Sequence, residues 1–153
     1  MGIEENKEVV RIFGERFGQG DSSVFDELVT DNFIFHALSG DGVDLNKDQL
    51  KRTNEGGHVA FSDYSMELVD MIGEDDKVMA IAKRTGTNTG EFLGLPPTGK
   101  IVKMFRVALY RVENGKVAEM WGMDDWFGQF QQLGILGTRD DIIGAYKESH
   151  NLE

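Results

Sequence analysis

The residues best suited to chemistry lie in one stretch, Glu119 to Gly134 (EMWGMDDWFGQFQQLG), which holds both tryptophans of the chain and the adjacent acids Asp124 and Asp125. A carboxylate set among large apolar side chains is poorly solvated when ionised, so its proton affinity rises and it becomes a general acid or base near neutral pH. Proton transfer next to a carbonyl is the chemistry such a group supplies. A strand-end carboxylate or a helix cap is the plainer role for either acid, and local sequence leaves both roles open.

Other chemistries are thinly represented. The chain has no cysteine, which excludes thiolate metal sites, disulfides and cysteine nucleophiles together. Its three histidines, His36, His58 and His150, are scattered without ligand spacing, so no metal is expected. A net charge of -11 and the lack of a basic stripe argue against nucleic acid as a partner. No apolar run approaches the ~20 residues of a membrane span, and no leader-like segment opens the chain, so the expected location is cytoplasmic. The 153 residues read as one domain, 1–153.

The elements that must position the acids follow from periodicity. Asn6 is placed to cap a helix carrying Val9, Val10, Phe13 and Phe17 on one stripe, stopped by Gly18 and Gly20. A short second helix carries Phe25, Leu28 and Val29, a brief strand runs from Phe33 to His36, and Asn46 with Gln49 signals a third helix. From Tyr64 the period changes to two, which predicts strands over 64–72, 77–85, 101–112 and 117–125. The expected class is α+β, with three helices covering one face of a long antiparallel sheet. Between the second and third of these strands, Gly86 to Gly99 (GTNTGEFLGLPPTG) must loop, and its apolar tip Phe92-Leu93 suits a pocket rim. A final helix is expected over 141–150, capped by Thr138.

Asn114-Gly115 between the last two strands predicts a two-residue hairpin turn. An unbroken register pairs Glu113 with Lys116, Tyr110 with Glu119, Ala108 with Trp121, Arg106 with Met123 and Met104 with Asp125. Arg106 then lies diagonal to Asp125 on one face, and Asp124 points to the other. One bulge in either strand exchanges the faces and moves Asp124 inward. Both faces are largely apolar, so the face away from the helices is expected to meet a second copy of the chain.

With the helix order, the 86–99 loop, YRVENGKVAEMW at 110–121 and DWFGQFQQLG at 125–134, the chain resembles the SnoaL-like polyketide cyclases of the nuclear transport factor 2-like, or ketosteroid isomerase-like, superfamily. The resemblance covers about residues 6–136, leaving 137–153 as a C-terminal extension. It implies a cone of curved sheet closed by helices around an apolar pocket, a homodimer or tetramer, an apolar small-molecule substrate, and intramolecular aldol condensation without metal or cofactor. Matched to the E-x-W motif at Glu119 and Trp121, the acid/base carboxylate falls on Asp125, and His36 matches a histidine at the end of the first strand. Arg106 is the neighbour of Asp125, as a participant or as its ion-pair partner.

Trp121, Met104, Met123 and Tyr110 are expected as pocket walls, Phe92 at the rim, and Asn88, Arg106 or Tyr110 as donors to an oxyanion. Asn88 and Met120 stand where many relatives of that family carry histidine. Ketone isomerisation and epoxide hydrolysis are the alternative reactions. A non-catalytic ligand-binding or association module is the alternative class.

Overall fold

The structure, a computed structural model, describes residues 2–39 and 42–152. Helix α1 spans Ile3–Gly18, beginning earlier than its apolar stripe because the Gly2 N–H donates to the Glu5 carboxylate. Asn6 is therefore inside the helix and buried rather than its cap, and its amide donates to the Asp75 carbonyl across the molecule. Helix α2 (Ser23–Leu28) follows, then strand β1 (Val29–Ala37), the short β2 (Asp44–Asn46) and helix α3 (Lys47–Ala60). Asn46 and Gln49 form the expected reciprocal cap, each side chain accepting from the other's backbone N–H at 2.9 Å.

Strands β3 (Ser65–Glu74), β4 (Lys77–Thr87), β5 (Ile101–Glu113) and β6 (Lys116–Asp124) complete a six-stranded sheet in the order β2-β1-β6-β5-β4-β3. Only β1 and β6 run parallel; the other pairs are antiparallel. Helix α4 (Trp126–Leu133) leaves the end of β6 directly, and α5 (Arg139–His150) starts at Thr138, whose hydroxyl accepts from the Asp141 N–H. Among the described residues no helix is long and apolar enough to cross a membrane.

The core fills the space between α1, α2 and the inner face of the sheet. Val10, Phe13, Phe17, Phe25, Phe33, Tyr110 and Met120 pack there, each buried side chain of this kind contributing roughly 1.5–3 kcal/mol. A smaller cluster of Ala60, Phe61, Val102 and Leu133 closes the other end.

The β5–β6 pairing departs from the unbroken register. Glu113 faces Lys116 and Val112 faces Val117, but Arg111 then faces Glu119, so Ala118 is an extra residue in β6. Asn114 and Gly115 both take positive φ, as the tight turn requires. Beyond the bulge, Tyr110 pairs with Met120, Ala108 with Gly122 and Arg106 with Asp124. The physical reason is visible at Glu119: without the bulge its carboxylate would point into the apolar core beside Tyr110. With it, Val117, Ala118 and Met120 are buried, and Glu119 reaches the outer face to meet Arg111 at 3.0 Å.

Candidate active site

Between the inner face of the sheet and α3, α4 and the 88–100 loop lies a cavity of about 480 Å³. Its walls are mainly apolar: Phe17, Phe35, Leu50, Phe61, Phe92, Met104 and Trp126. Into it β4, β5 and β6 carry Arg84, Arg106 and Asp124, and Tyr64 enters from the segment before β3.

Asp124 is the carboxylate of this site. Its Oδ1 accepts from Arg84 Nη1 at 2.5 Å, and its Oδ2 lies 3.7 Å from Arg106 Nη1. Burial alone would push the carboxyl up, but the charges of Arg106 and Arg84, with the Arg84 hydrogen bond, outweigh it and hold Asp124 below the usual carboxylate range. Arg84 Nε also donates to the Tyr64 hydroxyl oxygen. Burial raises the Tyr64 phenol, which stays protonated at neutral pH and keeps its own O–H available to another acceptor.

Arg106 is 5% exposed, and its guanidinium sits over the rings of Phe17 and Phe35, at 5.7 and 5.5 Å from their centroids. Gly122 makes this possible: a Cβ there would stand 2.7 Å from Phe35 Cε2 and 2.9 Å from Arg106 Nη2. His58 also lines the cavity, edge-on to Tyr64. Its Nε2 donates to the Phe17 carbonyl at 3.3 Å, which Asn54 also reaches, so this ring fastens the end of α1 to α3.

The residues expected from sequence separate into groups. Arg106, Met104 and Phe92 line the cavity, with Phe92 packed between Phe61 and Trp126. Asp125 does not line it: the residue is exposed and caps α4, its carboxylate accepting from the Gly128 N–H at 2.8 Å. The bulge is the reason, since it turns Asp124 inward and leaves its neighbour at the helix start.

His36, Trp121 and Met123 lie on the outer face. His36 bonds Asp44 and Glu119 at 2.9 Å each and stacks on Trp121 at 5.1 Å, while Met123 is half exposed. The Glu119 hydrogen bond, opposed by partial burial and supported by Asp44, raises the His36 ring above its ordinary value. Tyr110 packs edge-on against Phe13 in the core.

Asn88, expected to face an oxyanion, is fully buried and holds the loop together. Its amide donates to the Ala60 and Gly90 carbonyls, and its oxygen accepts from the Thr98 N–H and hydroxyl. Sequence reading weighed Asp124 but chose Asp125 in its place, and it did not assign Arg84, Tyr64, His58 or Trp126 to the cavity. The burial of Glu119 in the unbroken register was a usable signal for Asp124. Arg84 had none, because Lys83 and Arg84 are adjacent and either fits the inner face.

A mixed sheet wrapped on one side by helices, with a cavity at its open end, defines the nuclear transport factor 2-like fold. The profile of the SnoaL-like polyketide cyclases matches residues 7–133, and the chain belongs to that family. No curated protein matches it. Among solved structures, AclR of Streptomyces galilaeus, a candidate hydroxylase, is 25% identical with a TM-score of 0.79, the match covering 88% of this chain and 99% of that one. IdmH of Streptomyces antibioticus, a candidate polyketide cyclase, is 25% identical with a TM-score of 0.75, covering 84% and 98%. A SnoaL-like protein of Jannaschia, 24% identical over 88% of this chain and 94% of its own, has a TM-score of 0.78 and shares the fold.

Proposed function

We propose that the protein is an acid/base enzyme acting on a largely apolar, carbonyl-bearing small molecule, with Asp124 as the group that moves the proton. The observation that carries this reading is a carboxylate inside an apolar cavity, ionised by flanking arginines and adjacent to a protonated phenol. Asp124 removes a proton from the carbon next to a carbonyl. The resulting enolate oxygen is held by the Tyr64 O–H and the Arg84 charge. In an aldol cyclisation the enolate carbon then bonds to a second carbonyl carbon of the same molecule. The new alkoxide recovers the proton from Asp124, which is ionised again.

A carboxylate of low proton affinity is a weak base, so the arginines that weaken Asp124 must favour the enolate by at least as much. Membership of the polyketide cyclase family and the likeness to IdmH, a candidate polyketide cyclase, support cyclisation over isomerisation. The test is solvent deuterium exchange at the methyl group of 2-acetylnaphthalene, followed by NMR. The protein should accelerate exchange, Asp124→Asn should lower the rate at least 100-fold, and Asp125→Asn should leave it unchanged. Binding of the ketone with exchange at the buffer rate would point to a ligand-binding module.

The outer face of the sheet supports a homodimer within the same proposal. Phe105, Val107, Ile81, Met79 and Met123 form an exposed apolar band there, of the kind that a second sheet covers. Phe105→Lys should convert a dimer to monomer by light scattering. A monomeric parent protein would remove this part of the reading.

A further inference from the structure

We infer that the cavity takes a ligand bearing an ionised acid group, a carboxylate, and that Arg106 is the residue that binds it. This rests on the cavity being the ligand site, as proposed above, but not on Asp124 acting as a base.

The charge balance points this way. The titratable groups lining the cavity are His58, Tyr64, Arg84, Glu91, Arg106 and Asp124. Glu91 is exposed at the mouth and solvated, and Tyr64 is neutral. Two guanidinium ions therefore face one carboxylate, and Asp124 is already held by Arg84 at 2.5 Å. Arg106 stands 3.7 Å from it, beyond hydrogen-bond length.

The hydrogen bonding agrees. A guanidinium has five N–H donors, and a buried one ordinarily engages several of them. No Arg106 N–H has a hydrogen-bond acceptor among the described residues, and its Nε and Nη2 are buried without partners. A residue needed only to neutralise Asp124 would duplicate Arg84 and leave buried N–H donors without acceptors, which is unfavourable.

The cation is instead held in place by nonpolar means. Phe17 and Phe35 receive its faces, and Gly122 gives it room. An anionic oxygen entering the cavity neutralises the surplus charge and accepts hydrogen bonds that no protein group takes. The apolar walls then hold the ring system attached to it. A neutral ester or ketone accepts hydrogen bonds but leaves the surplus charge in place.

The experiment is calorimetric titration at pH 7.5 with naphthalene-2-carboxylate and anthracene-2-carboxylate, each against its primary carboxamide. At least one acid should bind tenfold or more tightly than its amide, and Arg106→Met should remove most of that ratio while Arg106→Lys keeps part of it. Equal or weaker binding of both acids, including no binding of either, overturns the inference. So does a folded Arg106→Met protein that keeps the ratio. The wild-type ratio decides the point even where Arg106→Met fails to fold. Preference for the acid without ketone exchange would remove only the acid/base reading; Asp124-dependent exchange without that preference would remove only this inference.

Discussion

Arg84 reaches across strand β5 to bond Asp124 at 2.5 Å, while Arg106, the direct cross-strand neighbour of Asp124, stays 3.7 Å away. The nearer residue in the ladder thus acts on Asp124 through its charge alone, and the farther one through a hydrogen bond as well. Arg84 fixes the carboxylate and Arg106 keeps its donors for something else.

Removing Asp124 leaves two inward cations without a countercharge. Asp124→Asn should destabilise the fold by about 3 kcal/mol, near the low end for breaking a buried pair because the cavity opens to solvent. Asp125→Ala should cost only the cap of α4, about 1 kcal/mol. Urea denaturation of both variants checks the order, and a larger loss at Asp125 would contradict the geometry.

Because its folded carboxyl lies below the ordinary value, Asp124 contributes stability that is present above the unfolded pKa and is lost as pH falls through the folded one. The same shift keeps the proposed base ionised throughout the neutral range. The rate of ketone exchange should therefore show no Asp124-dependent acid limb between pH 5 and 8, on a scale where an ordinary aspartate titrates near ~3.9. An inflection near neutrality that disappears in Asp124→Asn would contradict this.

His36 has the opposite sign. Its folded pKa is raised by Glu119 and Asp44, so its contribution is complete below the unfolded value and disappears as pH rises through the folded one. His36→Gln should destabilise the protein at pH 5.5 by about 1 kcal/mol or less, and by a smaller amount at pH 8.5. Thermal unfolding at the two pH values reads the difference, and a gap that widens at high pH would show the sign to be wrong.

Gly122→Ala should place a methyl carbon against Phe35 and the Arg106 guanidinium, costing about 1–3 kcal/mol as overpacking. Acid binding should weaken in the same variant, since Arg106 must move. A stable variant with unchanged acid affinity would mean that the guanidinium has freedom the packing does not suggest.

Asn88 ties both ends of the loop that carries Phe92. Asn88→Ala strands the Thr98 N–H and the Gly90 carbonyl, the Ala60 carbonyl keeping its backbone donors, and costs about 2 kcal/mol. Amide exchange should speed up in residues 88–100 and remain slow in β5. Uniform acceleration would indicate global destabilisation instead of loosening of the loop.

Much of the fold was legible in the residues. The stripe of Val10, Phe13 and Phe17, the Asn46-Gln49 cap and the Asn114-Gly115 turn each act locally, and the structure has all three where they were expected. Arg106 was placed near a carboxylate for a sound reason, as the first half of β5 pairs antiparallel with the end of β6. The identity of the acid was not legible from alternation alone, because period two continued through Ala118 carries every later residue of β6 to the wrong face. Trp121 and Met123 were misplaced by the same step, whereas His36 rested on the family resemblance alone. Asn88 was misread for another reason: a polar residue in a loop can hold the loop as readily as it can face a ligand, and only the tertiary partners distinguish the two.

The extra residue at Ala118 makes the acid of the site a matter of phase along β6. Removing that one residue would present Glu119, Trp121, Met123 and Asp125 to the cavity, a different lining drawn from the same strand. Counting positions from a shared motif therefore misassigns the acid wherever one relative carries such an insertion and another does not. Within this family, equivalence of the carboxylate has to be judged by the side of the sheet it occupies.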